Sequence, residues 1–132
     1  MTDQEGKLSD LLVDEEELNE ELLFEILSDY IRIGSESGNL VTQPAFRDLD
    51  SKQKVLVVLL ARKACTALNL ADSEWMTPTE ISGESGVKKG TVYPTVRKLA
   101  EDLNIAESDD GNYCIPTHNL DKARSLIRGD YQ

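Results

Sequence analysis

The chain has 132 residues, with 25 Asp plus Glu against 14 Lys plus Arg and a net charge of −11. That length suits one modest domain with an appendage and excludes multi-domain machinery and enzymes built on a full barrel. A charge of this sign stands against nucleic acid as a partner unless the acid is segregated, because phosphate binding needs local positive charge.

The acid is segregated. Residues 1–50 hold 14 acids and 3 bases, a net of −11, whereas residues 51–132 hold 11 of each and are neutral. Two regions with different tasks are therefore expected. No stretch approaches the ~20 consecutive apolar residues of a membrane span. The opening MTDQEGKLSD lacks the basic and apolar parts of a signal peptide, so a cytoplasmic location with reduced thiols is expected. Cys65, Cys114 and the single His118 make no zinc set at ligand spacing, and neither metal nor cofactor is expected. Both cysteines read as small buried hydrophobes.

In chain order, Asp14 followed by Glu15, Glu16 and Glu17 reads as a helix N-cap with a capping-box Glu and acid suited to the helix dipole. Leu18, Leu22, Ile26 and Tyr30 then recur at every fourth position, which predicts an amphipathic acidic helix ending near Gly34. Residues 34–50, rich in Gly, Ser, Asn and Asp, read as a linker, with a short ordered piece at Phe46 to Leu49. From Ser51 the texture changes. Val55 to Leu60 are apolar on nearly every face, and a run to Leu70 without Gly or Pro predicts a central, buried helix.

Thr77-Pro78-Thr79-Glu80 has the pattern of an N-cap, a first-turn proline and a capping-box Glu, opening a short helix that stops at Ser85-Gly86. A second helix is expected from Lys89 to Leu103, with Val92, Val96, Leu99 and Leu103 on one face and Pro94 in or near its first turn. Short helix, Gly-containing turn and longer helix make a helix-turn-helix. Ile105 to Ser108 and Tyr113 to Ile115 read as strands joined by a hairpin turn at Asp109-Asp110-Gly111-Asn112. Asn119 is placed to cap a last helix reaching about Arg128. The expected architecture is mainly α with a small β-hairpin wing: an acidic amphipathic helix (1–33), a linker (34–50), a winged helix-turn-helix domain (51–118) and a C-terminal helix (119–132).

Ser51 to Ile115 resembles the winged helix-turn-helix of prokaryotic transcriptional regulators. The piece GTVYPTVRKL, Gly90 to Leu99, is similar to the recognition-helix opening of the PadR-like family. The resemblance implies a recognition helix in the major groove of double-stranded DNA. Carried over position by position, it points to Lys88, Lys89, Thr91, Tyr93, Thr95, Arg97 and Lys98. Thr77 and Thr79 are placed to meet phosphate at the start of the preceding helix, and Asn112 to approach from the wing. Local charge agrees: from Gly86 to Ala100 there are four bases and no acids. The wing tip, Asp109-Asp110, carries the sign that repels phosphate.

Leu18, Leu22, Ile26 and Tyr30 are read first as a dimerisation stripe, since helix-turn-helix proteins gain affinity and operator symmetry as homodimers. Two other roles stay open for that helix: packing in cis on the second half, or covering the basic patch. The expected function is a sequence-specific DNA-binding transcriptional regulator acting as a homodimer. The alternative is a winged-helix interaction module, an adaptor or assembly factor, whose acidic helix masks the basic patch or mimics nucleic acid. With one His, no phosphate-cradling Gly loop and no Ser/His/Asp or Cys/His set, an enzyme is not expected.

Overall fold

The computed structural model describes residues 7–129. Within them the protein is mainly helical, with two small antiparallel hairpins. The helices are α1 (Glu15–Leu27), α2 (Pro44–Arg47), α3 (Ser51–Ala67), α4 (Pro78–Ser85), α5 (Lys89–Arg97) and α6 (Leu120–Arg128). Strands β1 (Ile31–Ile33) and β2 (Leu40–Thr42) form one hairpin, and β3 (Glu107–Asp109) and β4 (Asn112–Cys114) the other.

α3 is the centre. Asp50 caps it with a reciprocal pair of bonds: its carboxylate accepts from the Gln53 amide at 2.8 Å, and its own N–H donates to Gln53 Oε1 at 2.9 Å. Seven successive residues, Val55 to Ala61, have no solvent exposure. Such a run has no polar face, so neighbours must close on it all round. α1, α4, α5, α6 and β4 do so. Gln53 also reaches α6, its side-chain amide donating to the Ile127 carbonyl at 2.9 Å. This satisfies a carbonyl that the last turn of a helix leaves open.

α1 lies on this same core. Asp14 Oδ1 accepts from the Glu16 and Glu17 amides at 3.0 and 3.2 Å, and Leu23, Ile26 and Leu27 are buried. The spacing predicts a helix to Gly34, but α1 stops at Leu27 and the chain enters β1 at Ile31. The expected linker is likewise structured: Ile31, Arg32 and Ile33 pair with Thr42, Val41 and Leu40, and α2 buries Phe46. The alternation of β-branched residues on either side of a Gly/Ser turn is a strand signal that the longer helical pattern obscures.

Thr77 and Glu80 form the expected capping box, and α4 ends at Gly86. Gly86 has φ +78°, a left-handed conformation that closes the helix without steric cost. The turn to α5 is tied at both ends: Ser82 Oγ donates to the Val87 carbonyl at 2.6 Å, and the Val87 amide donates to Ser85 Oγ at 3.1 Å. Val92, Val96 and Leu99 are fully buried. Beyond Arg97 the helix widens into a π-type turn, Lys98–Asp102.

Ile105 does not start a strand. It is buried in a loop, its amide donating to the Leu99 carbonyl at 2.9 Å, and β3 begins at Glu107. Asp110 and Gly111 both have positive φ, the conformation of a type I′ hairpin turn. Tyr113 pairs back with Met76 through two backbone bonds of 2.9 and 2.8 Å, fixing the hairpin beside the start of α4. Asn119 does not cap α6 with its side chain. Its buried amide donates instead to the Asn104 and Ile105 carbonyls, at 3.1 and 2.9 Å, because those loop carbonyls have no helical partner.

Candidate nucleic-acid interface

The buried Val92, Val96 and Leu99 fix the rotation of α5 and thereby select which residues point outward. At 100° per residue the opposite face carries Gly90, Thr91, Pro94, Arg97 and Lys98. All five are exposed, as are Lys88 and Lys89 at the start of the helix. Tyr93 sits at the edge of this face and is 46% exposed.

None of Lys88, Lys89, Arg97 and Lys98 forms an ion pair among the described residues. Of the other bases of this half, Arg62 pairs with Glu84 at 3.2 Å, Lys63 with Glu74 at 2.8 Å, and Arg124 and Arg128 with Glu25 of α1 at 3.0 and 3.1 Å, whereas Lys52, Lys54 and Lys122 are likewise in no ion pair among the described residues. The positive charge at α5 is therefore not neutralised by an ion pair among the described residues. The acidic α1 spends its contacts on α3 and α6, so in this conformation it does not cover the basic face.

The remaining expected site residues are placed differently. Pro94 lies in the second turn of α5, not the first, and has no N–H to return to the Gly90 carbonyl. Thr95 is half-buried and its hydroxyl donates to the Thr91 carbonyl at 2.7 Å, which turns it into the helix rather than outward. Thr79 is exposed in the first turn of α4. Thr77 is committed locally: its N–H donates to Glu80 Oε1 at 2.9 Å and its hydroxyl oxygen accepts from the Glu80 amide at 3.2 Å. A phosphate arriving there would meet the Glu80 carboxylate already in place. Asn112 closes its own hairpin, with Nδ2 3.4 Å from the Asp109 and Asp110 carbonyls.

Thr77 and Asn112 in fact line a different feature, an open groove of about 970 Å³. Asp72, Glu80, Glu84 and Asp109 share its wall with Arg62 and Trp75. The groove is acidic on balance and unsuited to phosphate. Local caps and turns explain the misplacement, because the same side-chain oxygen that can meet phosphate also serves as an N-cap.

No family model matches the chain, and no curated protein or solved structure is significantly similar to it.

The proposed dimerisation stripe also divides. Ile26 is buried against the core, Leu22 and Tyr30 are half-buried on it, and Leu18 is 51% exposed. Sequence spacing misses Phe24, which is 73% exposed, and Leu68 at the end of α3, 57% exposed. Phe24 lies off the i+4 stripe, and an apolar residue outside the stripe is the signal that finds it.

Among the described residues no group of three or more His, Cys, Asp or Glu is positioned to hold a metal ion, and no helix is long and apolar enough to cross a membrane. Both cysteines are free and buried. Burial pushes the Cys114 thiol from the ordinary 9.0 up to about 11, helped by Glu74 and Glu107 and opposed by Lys63. Burial also raises Cys65, with Glu84 adding and Arg62 opposing.

A pH dependence follows from Cys114. Its folded-state value exceeds the unfolded one, so its contribution is complete below pH ~9 and is lost as pH rises toward about 11. Urea unfolding at pH 8 and pH 11 should show a loss on the order of 2 kcal/mol attributable to this thiol. Cys114→Ala should reduce that drop, and an equal drop in the variant would assign it elsewhere.

Proposed function

We propose that this chain is a sequence-specific DNA-binding transcriptional regulator acting as a homodimer, with α4, α5 and the β3–β4 hairpin forming a winged helix-turn-helix. The observation that carries the reading is the basic α5 segment: Arg97 and Lys98 on the outward side and Lys88 and Lys89 at its start, all exposed and free of ion pairs among the described residues, on a helix whose other face is locked in the core. A short helix crossing to a longer one over a tight turn is the arrangement by which an amino-terminal helix face reaches base edges in the major groove. Lys88 and Lys89, at the start of α5, suit phosphates flanking that groove. Thr91, Tyr93 and Arg97 are the side chains with donor groups aimed outward, and Arg97 is the one able to bind guanine in bidentate fashion. Thr79 is placed for a flanking phosphate. The interface is assigned to α5 and the first turn of α4, leaving the acidic hairpin tip clear of the phosphates.

A competing reading, an interaction module for proteins, is favoured by one observation: Glu107, Asp109 and Asp110 all project into solvent from the hairpin, where a phosphate backbone would be repelled. A salt series separates the two. DNA affinity should fall linearly as log K against log salt, with a slope set by the phosphates neutralised. Lys88→Ala together with Lys89→Ala should flatten the slope by about 2 and weaken binding evenly across sequences. An unchanged slope in the double variant would remove α5 from the interface.

A further inference from the structure

Pro94 stands inside α5, where it removes one hydrogen bond from the helix and leaves its ring exposed. That ring crowds the carbonyl four residues back, Gly90, and turns it away from the helix axis. Gly90 is itself exposed, and a Cβ added there would meet nothing within 4 Å. Measured from the buried Val92, Val96 and Leu99, both residues lie roughly 160° around the helix, nearer the middle of the outward face than Thr91, Tyr93 or Lys98. The middle of that face therefore offers an acceptor with no helical donor, beside an apolar ring.

We propose that Gly90 and Pro94 read an A·T base pair in the major groove: the Gly90 carbonyl accepts a hydrogen bond from the adenine N6 amine, and the Pro94 ring packs on the thymine methyl. The inference rests on the DNA-binding reading of α5 and adds a base preference to it.

The pairing of the two groups selects the base pair. A carbonyl alone would accept from adenine N6 or cytosine N4, but among the four bases only thymine carries a C5 methyl for the ring. Spacing agrees. Gly90 and Pro94 are ~6 Å apart along the helix, less than two base-pair steps of ~3.4 Å, so both can face the same pair. Approach is open too, because Gly90 has no side chain to hold the backbone away from the base edges. In the free protein water satisfies the exposed carbonyl, and the adenine amine replaces that water without leaving a group unpaired. Arg97 follows on the same side, ~4.5 Å beyond Pro94, within reach of a neighbouring pair.

The test starts from a randomised duplex library, from which the full chain should select sites with a fixed A·T pair. Replacing the thymines of a selected site one at a time by deoxyuridine removes a methyl alone, and at one position should weaken binding about 3- to 5-fold. Replacing the partner adenine by deoxypurine removes the N6 amine and should weaken binding about 10-fold. Pro94→Ala removes the ring and supplies the N–H that closes the Gly90 carbonyl into the helix. It should bind the natural and substituted duplexes within about 2-fold of one another. Gly90→Ala sets a Cβ between backbone and bases and should lower the preference for A·T over G·C at that position at least about 5-fold. Ala favours helix over both Gly and Pro, so neither variant should melt below the wild type, and lost discrimination is not unfolding. A selected motif with no fixed A·T pair would overturn the inference and leave the regulator reading standing, as would a deoxyuridine loss that persists in Pro94→Ala. No binding to any duplex at low salt would remove both.

Discussion

Leu59→Ala is expected to lower the unfolding free energy by about 3–5 kcal/mol, among the largest effects of any conservative truncation in the chain. Leu59 sits in the middle of the seven-residue run of α3 with no solvent exposure. Neighbours on every side prevent the gap from collapsing, so the loss includes both the transfer of buried methyl groups and the cavity left behind. For a domain whose total stability is of the order of 5–15 kcal/mol, that places the variant near the threshold of folding. Leu68→Ala, one helical stretch further along and mostly exposed, should cost less than about 1 kcal/mol. Urea unfolding of both proteins provides the comparison. Equal losses would mean that α3 is not the enclosed centre of the molecule.

The second large effect concerns α1. Ile26→Asp should unfold the protein or cost at least about 4 kcal/mol, because it forces a carboxylate with no partner into the core. Leu18→Asp, at a half-exposed site on the same helix, should leave stability within about 1 kcal/mol of wild type. The pair distinguishes a helix folded onto its own chain from one that waits for a partner. Packing in cis predicts lost stability for Ile26→Asp; a stripe reserved for dimerisation predicts a well-folded monomer. Thermal melts and light scattering on the same samples decide between them.

Elements governed by local chemistry are legible in the sequence. The Thr77-Pro78-Thr79-Glu80 opening, the left-handed Gly86 and the Asp110-Gly111 turn each need particular residue types at fixed offsets, and each forms as expected. The uninterrupted apolar run from Val55 likewise requires a helix covered on all sides. Misreadings arise where one residue type serves two purposes. An i+4 stripe on α1 announces a covered face without saying whether another part of the chain or another molecule covers it, and here α3 and α6 do most of that work. Tyr30 continues the stripe, which hides the change to strand at Ile31. Thr77 and Asn112 have donor and acceptor groups suited to phosphate, but their own backbone neighbours occupy them. Asn119 is drawn from capping to a long-range pair of loop carbonyls that no local pattern announces.

Charge shows the same separation of local and global information. Taken whole, −11 describes a molecule that avoids phosphate; taken by position, it belongs to residues 1–50, and the α5 face is basic. Folding sharpens the contrast. Glu25 neutralises Arg124 and Arg128 on α6, and Glu74 and Glu84 neutralise Lys63 and Arg62, while the α5 bases stay unpaired among the described residues.

The most direct measurement is equilibrium binding of the full chain to mixed-sequence and upstream-region duplex DNA, followed from about 50 to 200 mM salt. Engagement through Lys88, Lys89, Arg97 and Lys98 predicts binding at the low end, with affinity falling as roughly the third to fourth power of salt concentration, and tighter binding to a subset of upstream sequences. Absence of binding at the lowest salt, or an affinity that does not respond to salt, would contradict the account.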